Sequence, residues 1–229
     1  MAEAVTRANI AGFDDAVPRV ALLPEHGAGW PGQPGLTGHR QGADWSPLFT
    51  LDSVDAEGLS VWIRATDRTA RLGLVLDTVL TPSGLVRMRA AVRNDDSELP
   101  YTLDGLMLAL PVPDAATELL DLTGRWCRER APQRHPFHAG TWLRETRGGR
   151  AGPDAALVLK AGTPGFGFGH GEVWGLHIAW SGNHRILAER LPTGRPLHRP
   201  GALGAHLLES LLAVVVAAGK EMSVTAGSG

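Results

Sequence analysis

The stretch LGLVLDTVL-TPSG-LVRMRAAVR, residues 72–93, decides the fold class. In its second half Val86, Met88, Ala90 and Val92 alternate with Arg87, Arg89, Ala91 and Arg93. That period of two is what an antiparallel strand with one wet face requires, whereas a helix would spread the arginines around its whole circumference. In the first half Leu72, Leu74, Leu76 and Leu80 share one face of another strand. Between them Thr81-Pro82-Ser83-Gly84 places Pro where a turn wants a fixed φ and Gly at its end. Residues 71–93 are therefore read as a hairpin.

The same pattern extends outward. Val61, Ile63 and Ala65 opposite Trp62, Arg64 and Thr66 give a third strand, and further strands are expected over 48–54, 102–110, 156–160, 173–181 and 184–191. Turn clusters such as Asn94-Asp95-Asp96-Ser97 and Pro192-Thr193-Gly194 separate them. No segment before residue 200 keeps apolar spacing at three and four, and 29 Gly and 16 Pro are distributed among short strands. The expected class is all-β, an antiparallel β-sandwich (supersandwich) with two long loops, over 24–47 and 125–153. Residues 202–218 read both ways: Leu207, Leu208, Leu211 and Leu212 have helical spacing, while Val214-Val215-Val216 favours a strand.

Composition excludes several classes. With 43% apolar and 20% charged residues in a chain of 229, a sizeable core is available. A formal net charge of -2 gives no electrostatic reason to expect nucleic acid or a membrane surface as partner. Cys127 is the only cysteine, so no internal disulfide forms, and it is expected as a partly buried small side chain. The first residues show no basic segment followed by an apolar run, and the apolar stretch 211–218 is far short of the roughly 20 residues that span a bilayer. The expectation is a soluble, cytoplasmic protein.

Three ordered motifs remain: Gly124-Arg125-Trp126-Cys127-Arg128-Glu129-Arg130; Thr163-Pro164-Gly165-Phe166-Gly167; and Gly171-Glu172-Val173-Trp174-Gly175 leading to Ala179-Trp180-Ser181-Gly182-Asn183-His184. With them goes Gly38-His39-Arg40 leading to Asp44-Trp45-Ser46-Pro47. Together they resemble the N-terminal β-sandwich domain of glycoside hydrolase family 36, the bacterial retaining α-galactosidases, in its actinobacterial version. Pro153 departs from that pattern, standing where members often carry a histidine. The resemblance divides the chain into a non-conforming extension over 1–17, a sandwich over 18–225 and a flexible tail over 226–229. It also makes the end of the 202–218 segment a final strand from about Val214.

In the family a (β/α)8 barrel carries both catalytic carboxylates, the nucleophile within a Lys-Trp-Asp-like motif. No such motif occurs here, so the resemblance implies a piece truncated before its barrel, with no catalytic residue of its own, no metal and no cofactor. The partners it implies are α-galactoside sugars, a catalytic barrel domain and further copies in a homo-oligomer, a tetramer. Substrate-binding candidates are His39, Arg40, Asp44 and Trp45, an indole face packing on the apolar side of galactose while Asp and Arg bind hydroxyls. The competing reading has Trp45 anchoring its loop and Asp44 pairing with a nearby arginine. Trp126, Arg128, Glu129 and Arg130 are candidates for an interface, with an Arg–Glu network behind a docked indole. Trp174 and Trp180 are expected in the core. His135 and His138 flank Pro136, which argues against a helical zinc site. Other readings are a stand-alone carbohydrate-binding module using Trp30 and Trp45, or a non-functional fragment.

Overall fold

The computed structural model describes residues 20–155, 157–180 and 182–191, together with the backbone of 210–224. The expected extension over 1–17, the 202–209 stretch and the tail over 226–229 lie outside the described residues. The strands are β1 (Leu36–His39), β2 (Thr50–Glu57), β3 (Ser60–Asp67), β4 (Leu72–Leu80), β5 (Val86–Asn94) and β6 (Tyr101–Val112). They continue with β7 (Glu118–Arg125), β8 (Arg128–Pro136), β9 (Gly140–Thr146), β10 (Val158–Gly162), β11 (Val173–His177), β12 (His184–Arg190) and β13 (Ser210–Val224). All pair antiparallel in three sheets, ordered β1-β6-β13-β12-β9, β11-β10-β7-β8 and β2-β3-β4-β5.

The hairpin forms as its alternation dictates. Leu72 faces Asn94 and Leu80 faces Val86, and the Gly84 N–H donates to Thr81 O at 2.9 Å with φ +83 at Gly84. Its apolar side, with Leu72, Leu74, Leu76 and Ala65, packs on Leu36, Leu103, Leu106 and Leu108 of the five-stranded sheet. Farther along β6, Val112 joins Ile186 and Ala188 against Leu119, Leu159 and Ala161 of the β11-β10-β7-β8 sheet. The register aligns Leu108, Val214 and Ile186 in one row, so both four-stranded sheets cover the same face of the central sheet. Met107, Ala109 and Leu187 point to the opposite face, where Trp30, Leu191 and Val20 cover them. An all-β, sandwich-like architecture is thus what the structure has, with no α-helix among the described residues.

Several expectations need correction. Residues 125–153 are not one long loop: they hold β8 and β9. Both are edge strands, and β8 contains Pro132 and Pro136, whose missing N–H is tolerated at an edge. Its outward positions are charged or proline and its inward ones are Ala131, Gln133 and His135, so no apolar alternation announces it. The first loop, 24–47, contains a short 3-10 turn, His26–Ala28, and the four-residue β1. The ambiguous 202–218 segment contributes a strand, which begins at Ser210.

Trp174 packs on the core as expected, but β11 ends at His177 and Trp180 is 49% exposed. Cys127 is exposed rather than partly buried, because it sits in the β7–β8 turn at φ +63.

Candidate functional site

β1 leaves the central sheet at His39 and turns back at once. Arg40 and Ala43 exchange both backbone hydrogen bonds, at 2.8 and 2.9 Å, around Gln41 (φ +50) and Gly42 (φ +86). Two successive positive φ values are what a type I′ turn demands. The Gly42 N–H donates to His39 Nδ1 at 3.2 Å, which leaves the proton of the neutral ring on Nε2. Upstream, a Cβ at Gly38 would lie 2.6 Å from the Tyr101 ring, so only glycine lets β1 run this close to β6.

The next residues carry the geometry of the site. Asp44 has φ +56 and is held twice: its carboxylate lies 3.3 Å from Arg40 Nε, and its carbonyl accepts from the Tyr101 hydroxyl at 3.1 Å. Burial pushes the Tyr101 phenol far above its ordinary range, with the Asp44 and Asp104 carboxylates adding to the effect, so it stays a hydrogen-bond donor. Beyond Trp45 the chain is pinned again, Leu48 N–H to Asp67 Oδ2 and Phe49 N–H to Glu25 Oε1, both at 2.7 Å. Trp45 itself is 66% exposed on this clamped arm.

Arg40 is not a surface cation. It is 4% exposed, and its guanidinium donates to the carbonyls of Leu99 and Ala70 and to Asn94 Oδ1, while Asp96 lies 3.5 Å away. The N–H of Glu98 holds the Asp96 carboxyl below its usual range despite burial, helped by the Leu99 N–H, Arg71 and Arg40. Burial keeps Arg40 away from a sugar in solvent, although its Nε, beside Asp44, makes no hydrogen bond, and this corrects that part of the expectation. Asp44 does pair with an arginine, as the competing reading held, and Trp45 is 66% exposed.

Trp45, His39, His26, Thr37 and Asp104 line an open groove of about 410 Å³. Asp104 is the residue that sequence reasoning missed. It is an exposed carboxylate in a strand whose neighbours Leu103 and Gly105 are buried, and one charge in β6 reads simply as a wet-face position. The groove offers an indole, a carboxylate and imidazoles: an apolar face beside hydrogen-bonding groups suits a sugar ring.

The second candidate is the β7–β8 tip. Trp126 is 81% exposed there, beside exposed Arg128, Glu129 and Arg130. The expected Arg–Glu network does not form: Glu129 Oε1 instead accepts the Cys127 N–H at 2.9 Å, and among the described residues no ion pair involves Arg125, Arg128 or Arg130. Trp30 is 4% exposed in the core, so it does not join Trp45 in a binding face. His135 is committed to buried Asp121 at 3.2 Å and stacks on Trp142 at 5.6 Å.

Comparison with known proteins agrees with this architecture. Residues 3–199 match the glycosyl hydrolase family 36 N-terminal domain, a span that begins inside the stretch set apart as 1–17. An α-galactosidase of Escherichia coli is 37% identical over 176 residues, covering 77% of this chain and 25% of that protein's length. The α-galactosidase of Lactobacillus brevis superposes with a TM-score of 0.75 at 17% identity over 93% of this chain and 31% of its own. A variant of the family 36 α-galactosidase AgaA of Geobacillus stearothermophilus, in complex with raffinose, gives 0.75 at 15% identity over 99% of this chain and 34% of its own. These structural likenesses show a shared fold, and the match over most of the sequence shows more: the chain belongs to the glycosyl hydrolase family 36 N-terminal domains.

Proposed function

We propose that this chain is the non-catalytic β-sandwich portion of an α-galactosidase that removes terminal α-galactosyl groups from oligosaccharides. In this reading the groove at Trp45 forms part of the rim of the substrate site. Trp45 and Asp104 touch the sugar, with His39 beside them. Trp126 and its arginines dock on a catalytic barrel or a neighbouring subunit. The observation that carries it is Trp45: a large apolar ring exposed to water, yet on an arm clamped at both ends. Family membership and the 37% identical α-galactosidase of Escherichia coli support the substrate class.

Two measurements test it. Melibiose titrated into the purified chain is expected to change its tryptophan fluorescence, and Trp45→Ala is expected to abolish the change; a response that survives that substitution would count against the rim. The chain is also expected to release no nitrophenol from a nitrophenyl α-galactoside, and retaining turnover would overturn the assignment of catalysis to a separate barrel.

A further inference from the structure

We propose that Arg40 is a positioning residue for Trp45, a buried guanidinium that fixes where the indole stands without touching the ligand. This deepens the sugar-rim reading and rests on it for the identity of that ligand.

Taking a guanidinium out of water is costly unless its donors are met. The groups around Arg40 come from separate parts of the chain: it donates to Ala70 before β4, Asn94 at the end of β5 and Leu99 on the way to β6, while Asp96 and, beside an Nε that makes no hydrogen bond, Asp44 on the arm supply opposite charge. The side chain thus ties the arm to the junction between the hairpin sheet and the central sheet. Its stacking partner is Tyr101, with the guanidinium carbon 5.7 Å from the ring centroid. The same Tyr101 carries the hydroxyl that grips the Asp44 carbonyl. Asp44 therefore keeps a left-handed backbone, unfavourable for a residue other than glycine, under two constraints that both lead to Arg40.

Position, rather than packing, is what this node supplies to Trp45. The indole is 66% exposed, and the residue before it is fixed by charge and hydrogen bonds. Lysine cannot substitute: an ammonium is a point charge whose three donors do not match planar acceptors lying on different sides.

Fluorotryptophan incorporated into the full chain gives one fluorine NMR line for each of the seven tryptophans, and Trp45→Phe assigns the line of interest. In Arg40→Lys the Trp45 line is expected to move to the position of the freely exposed Trp126, while the lines of Trp142 and Trp174, in the other core, stay in place. Melibiose affinity is expected to fall about tenfold, the scale of one charge-assisted contact network lost. A merely structural Arg40 would lower the Tm and leave the Trp45 line where it was, and that result overturns the proposal. Should Arg40→Lys collapse every line, Tyr101→Phe and Asp44→Asn decide: both are expected to shift the Trp45 line alone, and an unmoved line in both overturns it. A wild-type Trp45 line that ignores melibiose removes the sugar rim, while the Arg40→Lys shift still judges the positioning role.

Discussion

Glu25 accepts the backbone N–H of Phe49 at 2.7 Å while half-buried near Asp67, and the partial burial raises its pKa above the ordinary glutamate value even though the hydrogen bond pulls the other way. The folded state therefore binds a proton that the unfolded chain has already lost. In the window between the two pKa values stability must fall as pH rises, because the native state is the better proton acceptor there. Glu25→Gln keeps an acceptor for Phe49 and removes the ionisation. It is expected to flatten the decline in Tm between mildly acidic and neutral pH; an unchanged slope would contradict the assignment.

Glu118 has the opposite sign. The Gly165 N–H and Arg134 hold its carboxyl below the ordinary value, so its contribution is complete above the unfolded pKa and is lost as pH falls through the folded one. Glu118→Gln is expected to cost about 1 kcal/mol at neutral pH, the scale of one net hydrogen bond. Chemical denaturation at acidic pH should show that difference shrinking.

Leu72 has no exposed surface and Leu85 is largely in solvent, although both belong to the β4–β5 hairpin. Leu72→Ala is expected to cost roughly 2–5 kcal/mol through lost transfer energy and the cavity left behind. Leu85→Ala should stay within about 0.5 kcal/mol, as surface substitutions do. Guanidinium unfolding of the pair checks the contrast, and a larger loss for Leu85→Ala than for Leu72→Ala would mean that the hairpin packs the other way round.

Asp104→Asn leaves an exposed side chain of the same shape at its place in β6, so the melting curve should not move. Melibiose binding is expected to weaken about tenfold, from the loss of a charged hydrogen-bond acceptor. Undiminished binding would take Asp104 out of the groove's working surface.

Much of this was legible because one face of a half-buried strand must alternate. The β4–β5 hairpin and β3 announce themselves through Leu74, Ile63 and Val92 against Asp77, Arg64 and Arg93. β8 does not, since its inward residues are Ala131, Gln133 and His135 and its prolines imitate loop chemistry. At the site, Trp45 and Asp44 were visible as types, but His39, Arg40 and Asp44 are all polar and adjacent. Only the carbonyls of Ala70 and Leu99, distant in sequence, turn Arg40 inward. Asp104 was hidden for the related reason that a single acid in an apolar strand says nothing about what stands across from it.

β6 lends Leu103 to one cluster of buried side chains and Val112 to the other. The molecule is therefore two cooperative halves sewn along a common seam. Hydrogen exchange should find the amides of β6 opening last, while the outer hairpins breathe independently on either side.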